Sequence, residues 1–182
     1  MIYKAFQDLQ LSQLGFGTMR LPLREDKSID EELAAAMTDA AIRQGVNYFD
    51  TAWSYHSGKS ETVIGKILQN YPRESFYLAD KFPGYDLSNM DKVEEIFEAQ
   101  LQKCGVKYFD FYLFHNVCEM NIDAYLDPKY GILEYLLRQK QNPLLKHRQN
   151  LAPLRLRRSA DRLYAAPQLK RLPLPLQQKR LL

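Results

Sequence analysis

A chain of 182 residues, 46% hydrophobic and 26% charged, is long enough for one ordinary domain with a sizeable core and too short for two large ones. Its two cysteines, Cys104 and Cys118, are too few for a disulfide framework and form no CxxC pair, and no apolar run approaches the roughly 18 residues of a membrane span. With no signal peptide in view, the expectation is a soluble protein of a reducing compartment, the cytoplasm, without a membrane partner.

Through residue 142, apolar runs rich in β-formers alternate with helical stretches, the pattern of parallel βα units. The runs are residues 11–19 (LSQLGFGTM), 46–52 (VNYFDTA), 75–82 (SFYLADKF) and 108–116 (YFDFYLFHN). Residues 30–45 predict a helix with Asp30 as N-cap, an apolar face of Leu33, Met37, Ala40 and Ala41, and Gly45 as its stop. Residues 60–70 open with Ser60 and Glu61 and bury Val63, Ile64, Ile67 and Leu68. Residues 90–105 start at Asp91, bury Val93, Ile96, Phe97 and Leu101, and end at Gly105. Right-handed crossovers then set four strands parallel.

Beyond Asn142 the character changes. Residues 143–182 carry ten Lys and Arg against one acid, Asp161, so the whole-chain charge of +3 leaves −6 on residues 1–142. The segment lacks Gly, Val, Ile, Phe, Trp, Met and Thr, while Leu, Pro, His, Gln and Arg supply 29 of its 40 residues. All five can be written with codons that begin in C, which points to out-of-frame translation or a similar junction rather than to a sequence selected to fold. A nucleic-acid-binding extension and a membrane-surface helix are the weaker readings. Five prolines interrupt any long helix, and Tyr164 is the one side chain able to stack on a base. The expected division is therefore a folded part, 1–142, and a basic, poorly structured tail, 143–182, with no nucleic-acid partner.

Polar residues interrupt the strand ends of the first part at nearly one βα unit each. Asp50 to Lys81 is 31 residues and Lys81 to His115 is 34. In a parallel barrel such a repeat brings successive positions to the rim where strands end at their carboxyl side, and Tyr55, five residues past Asp50, can bend back over that rim. A phenol ordinarily titrates near about 10 and donates sluggishly at neutrality unless a neighbour favours the phenolate. Lys81 is that neighbour, with Asp50 holding its ammonium in place. His115 offers a second donor, so a carbonyl oxygen set against Tyr55 and His115 would be polarised and protonated while its carbon accepts hydride.

Taken singly, each residue has a plainer role: Asp50 as a turn residue, Lys81 as a solvated charge, His115 as a structural histidine, Tyr55 as packing. Their coincidence at one rim favours a site. A metal-dependent hydrolase built on Asp50, His56 and His115 lacks a third convincing ligand and any HxH or HExxH pattern, so no metal is expected.

The segments LGFGTMRLP, VNYFDTAWSYHSGKSETVIGKIL, YLADKF and CGVKYFDFYLFHN resemble successive signatures of the aldo/keto reductase family, over about residues 3–140. DTAxxY followed by GxSExxxG is highly specific in combination. The resemblance implies a TIM-type (β/α)8 barrel cut to about four βα units, with residues 3–13 as the hairpin that closes its bottom. It implies NADPH or NADH as hydride donor and an aldehyde, ketone or sugar-like carbonyl as substrate. Asp50, Tyr55, Lys81 and His115 match the catalytic positions. Gly17, Thr18 and Met19, with Asp50, match the cofactor-binding segment, and Trp53 and Asn116 match positions lining the pocket. The family grips its dinucleotide mainly from strands five to eight, which this chain does not supply, and the cysteines of an iron–sulfur module are absent. A non-catalytic accessory protein on the same barrel is the alternative. A half barrel leaves two sheet edges open and an apolar interior toward solvent, so self-association through those edges is expected.

Overall fold

In the computed structural model, residues 1–141 are described; residues 142–182, and with them the division expected at residue 142, lie outside that range. Strands β1 (Tyr3–Phe6) and β2 (Leu9–Ser12) pair antiparallel as a hairpin. Strands β3 (Phe16–Gly17), β4 (Tyr48–Asp50), β5 (Tyr77–Phe82) and β6 (Phe111–Phe114) form a second sheet, parallel throughout, in the order β3-β4-β5-β6. Helices α1 (Glu31–Arg43), α2 (Ser60–Leu68) and α3 (Val93–Cys104) connect successive strands; α4 (Ile122–Leu126) and α5 (Ile132–Gln141) follow β6. The four βα units read from the sequence are present. The sheet they build is open, with β3 and β6 as its edges among the described residues.

Alternation along the strands gives each face its own task. Phe49, Leu78, Asp80, Phe82, Tyr112 and Phe114 point to the helices and are buried there, with Ile64, Leu68 and Phe97 supplied from α2 and α3. The opposite, inner face carries Tyr48, Ala79, Phe111 and Leu113, and Leu9 and Leu11 of the hairpin pack into it at one end. That plug is why the site lies at the other end. Among the described residues no helix is long and apolar enough to cross a membrane.

Three expectations are corrected. Leu11 and Ser12 belong to the hairpin, opposite Lys4 and Tyr3, so the first parallel strand shrinks to Phe16–Gly17. Helix α1 keeps Asp30 as its cap, the carboxylate accepting from Leu33 N–H at 3.0 Å, but turns a different stripe inward. Ala34 and Thr38 are buried, whereas Leu33 and Met37 are 49% and 41% exposed. Small residues let α1 approach the cluster of Leu21, Ile29, Val63 and Ile67, and Thr38 satisfies its hydroxyl on its own helix, at Ala34 O. Helix α3 starts at Val93, two residues later than Asp91, with no side-chain cap.

Helices α2 and α3 meet at Gly65, where an added Cβ would lie 2.3 Å from the carbonyl oxygen of Cys104. The contact is with backbone, which cannot swing aside. Gly65→Ala gains about 1 kcal/mol of helix propensity and loses more to the forced separation. A net destabilisation of about 1–3 kcal/mol is expected from urea unfolding; an unchanged or higher midpoint would contradict this packing.

Candidate active site

The strand register explains how three distant side chains meet. Asp50 stands opposite Ala79 and Lys81 opposite Leu113. Lys81 lies two residues beyond Asp50's partner, and His115 two beyond that of Lys81. A step of two keeps the same face while following the stagger of tilted barrel strands, so Asp50, Lys81 and His115 reach the inner face at the same rim.

Lys81 is the hub. Its Nζ donates to Asp50 Oδ1 at 2.5 Å, to the carbonyl of Thr51 at 2.6 Å and toward the phenol oxygen of Tyr55 at 3.4 Å, three donors for three acceptors. With side chains 12% and 28% exposed, Lys81 and Asp50 form a pair that water screens only partly. Tyr55 enters from a short kinked turn, Tyr55–Gly58, whose first amide bonds Ala52 O at 3.1 Å. Its ring meets His115 edge-on, centroids 5.8 Å apart at 85°, and Tyr85 also meets the imidazole edge-on, at 5.0 Å and 88°.

His115 is fixed at its backbone, the amide on Phe82 O at 3.0 Å and the carbonyl accepting from the Tyr125 hydroxyl at 2.8 Å. Burial, and then the nearby Lys81 charge, hold its imidazole below the ordinary histidine range against the opposing pull of Asp50. Nδ1 is buried with no hydrogen-bond partner among the described residues. A lone pair is cheaper to orphan than an N–H, which assigns the proton of the neutral ring to Nε2.

Tyr55 and His115 line a cleft of about 480 Å³ together with Met19, Ser54, His56, Tyr85 and Asn116. Asn116 holds φ 53°, a left-handed turn immediately after the imidazole. Of the residues expected beside a cofactor, Met19 is exposed on the cleft, and Gly17 is open enough that a Cβ would meet nothing within 4 Å. Thr18 differs: it is fully buried, with its N–H and hydroxyl both on Asp50 O (2.9 and 3.1 Å) and Ser60 Oγ donating to Thr18 Oγ1 at 2.7 Å. It braces the loop that follows β3 against β4 and the start of α2. Trp53 also departs from its expected place at the pocket and instead lies under Lys103, whose Nζ is 3.6 Å from the ring centroid. His56 accepts a hydrogen bond from Leu21 N–H, and among the described residues no three His, Cys, Asp or Glu side chains stand close enough to hold a metal ion.

Known proteins resemble this chain in sequence and in fold. The sequence profile of the Aldo/keto reductase family matches residues 13–136. "Probable aldo-keto reductase 1" of Glycine max is 30% identical over 119 residues, 61% of this chain and 34% of that protein. The NADH-specific methylglyoxal reductase of Escherichia coli strain K12 is 27% identical over 127 residues, 59% of this chain and 39% of that one. Among solved structures, an aldo-keto reductase from Bacillus halodurans in its apo form is 29% identical with a TM-score of 0.60, over 80% of this chain and 46% of its own. The chain thus spans about a third to two fifths of the length of the curated relatives it matches.

A polar cluster that strand and helix periodicity did not disclose lies behind the hub. Asp80, on the outer face beside Lys81, is fully buried with Glu61 of α2 and Gln100 of α3. Gln100 Nε2 reaches Glu61 Oε1 (2.9 Å), Asp80 Oδ1 (2.9 Å) and Lys81 O (3.1 Å), while Asp80 Oδ1 accepts from Lys81 N–H at 2.8 Å. The backbone that carries the hub is therefore held at both its amide and its carbonyl. Lys103 closes the set, bonding Glu61 at 3.0 Å as it covers Trp53. The legible signal was parity: Asp80 is an acid at a helix-facing strand position, where nothing but a paired or protonated group belongs.

Burial, and then the charge of Glu61, push the Asp80 carboxyl well above the ordinary carboxylate range. The folded chain holds that proton to higher pH than the unfolded chain does, so the contribution of Asp80 to stability declines as pH rises. Relative to the native chain, Asp80→Asn is expected to gain stability progressively as pH rises above the ordinary carboxylate range. Urea midpoints measured against pH check it; a difference that stays constant with pH would contradict the upward shift.

Proposed function

Because the chain belongs to the aldo/keto reductase family, we propose that its cleft reduces an aldehyde or ketone to an alcohol with Tyr55 as proton donor. The supporting observation is the 3.4 Å approach of the Lys81 ammonium to the Tyr55 oxygen, with Asp50 fixing the ammonium from behind. A carbonyl oxygen in the cleft accepts hydrogen bonds from Tyr55 and His115. As its carbon takes up hydride, the charge growing on oxygen is met by the Tyr55 proton, and the phenolate left behind is stabilised by Lys81 until solvent returns a proton. Neutral His115, a donor through Nε2, polarises the carbonyl without competing for that proton.

A reduced nicotinamide dinucleotide supplies the hydride when bound. The residues present fit its nicotinamide end, with Met19 and Asn116 on the cleft wall, Gly17 leaving one side unobstructed and Thr18 behind them holding the Asp50 carbonyl. NADPH and NADH both suit this end; the name of the Escherichia coli relative supports NADH among the family's choices. The described residues amount to four of the eight βα units of such a barrel, which supports a fragment that carries the catalytic groups with an incomplete grip on the dinucleotide. Open edges at β3 and β6, and the exposed Leu33 and Met37, support self-association. The free thiols of Cys104 and Cys118 suit a cytoplasmic setting.

Turnover is read as loss of reduced-nicotinamide absorbance with a small aldehyde. Tyr55→Phe is expected to lower kcat/KM about 10²–10⁴-fold relative to the native chain. A Tyr55→Phe chain as active as the native one would reject the assignment, and would favour an accessory protein that keeps the barrel for binding.

A further inference from the structure

His56 is singled out by three independent features that the reductase reading leaves unused. First, it lines the same cleft as Tyr55 and His115. Second, its backbone is at φ 51°, ψ 45°, followed by Ser57 at φ 56°, ψ 37°, two consecutive left-handed residues without a glycine between them. L-residues adopt that conformation at a cost, and a loop that holds two in succession is shaped by something other than local preference. Third, the ring accepts the Leu21 N–H at Nε2, 2.9 Å away.

The third feature settles the tautomer. A ring nitrogen that accepts a hydrogen bond carries no proton, so the proton of the neutral imidazole is on Nδ1. The donor that enforces this does not drift, because Leu21 is buried in the cluster with Ile29, Ala34, Val63 and Ile67. Nδ1–H meets no acceptor among the described residues and is not buried without one, so it is an available donor on a residue of the cleft wall.

We propose that His56 is a specificity residue whose Nδ1–H donates to a second oxygen of the substrate, so that the cleft prefers carbonyls bearing an oxygen on the neighbouring carbon over simple aldehydes and ketones. The inference rests on the carbonyl-reductase reading of this cleft. Tyr55 and His115 take the reacting oxygen, and His56, next to Tyr55 in the chain, takes the one beside it. Hydroxyketones, hydroxyaldehydes and vicinal dicarbonyls have that pattern. A substrate lacking the second oxygen leaves a polar donor without a partner when it covers the cleft, which is what makes the discrimination energetic rather than merely steric.

Hydroxyacetone and butanone are matched in size and differ in the oxygen at issue. The full chain is expected to show kcat/KM about tenfold higher for hydroxyacetone, and His56→Phe to erase that ratio. His56→Asn, which tolerates the left-handed backbone, is expected to keep part of it and guards against a loop that fails to form. Loss of both activities by the same factor in both variants, with the ratio intact, would overturn the proposal and leave His56 a structural latch. Nitrogen NMR of the imidazole gives a readout that needs no turnover: the Nδ1–H tautomer, with an Nδ1 resonance that moves on adding hydroxyacetone and not on adding butanone, is the expected result. An Nε2–H tautomer, or identical responses to the two ketones, would overturn it. A chain that reduces neither ketone yet gives the expected NMR response would sink the reductase reading while sustaining His56 as a ligand-selecting donor.

Discussion

The ion pair between Lys81 and Asp50 is the constraint on which the rest of the structure depends. Two charges at the end of a parallel sheet, mostly withdrawn from water, are tolerable when each meets partners, and Lys81 meets three. The requirement fixes what surrounds it. Asp50 must end β4 on the inner face, Lys81 must stand two residues past Asp50's register partner, and the Thr51 carbonyl must be free to accept. Tyr55 completes the set from a turn that the buried Thr18 and Ser60 brace from below. An ammonium so committed cannot wander, which is what makes it useful to a neighbouring phenol.

The same hub is gripped from the other side of the sheet. Asp80 and Gln100 take the amide and carbonyl of Lys81, and Lys103 ties Glu61 to Trp53, two residues before Tyr55. The inner face thus holds an ion pair, and the outer face holds a carboxyl that burial and Glu61 push well above the ordinary carboxylate range. Two acids of the fold, Asp50 and Asp80, differ in surroundings because alternation along β4 and β5 sends them to opposite sides of one sheet.

Much of this was legible in the residues. Alternating apolar runs and helical stretches disclosed four βα units, and the 31- and 34-residue spacings disclosed that Asp50, Lys81 and His115 share a rim. Periodicity was misleading where small residues rule the packing: in α1 the bulky Leu33 and Met37 look like the buried face, while Ala34 and Thr38 are the ones that let the helix approach. Hydrogen-bond roles were hidden for a different reason. That Thr18 braces, that Trp53 lies under Lys103 and that His56 accepts from Leu21 depend on contacts across loops, and no local pattern encodes these.

Asp50 and Lys81 act as one coupled unit at the rim, and a double-mutant cycle measures that coupling. Unfolding free energies of the native chain, Asp50→Asn, Lys81→Met and the double variant give the coupling without reference to any activity. A coupling energy of about 1–3 kcal/mol is predicted for a pair this withdrawn from solvent. Effects that add to within about 0.3 kcal/mol would show two independent surface charges, and would contradict the account.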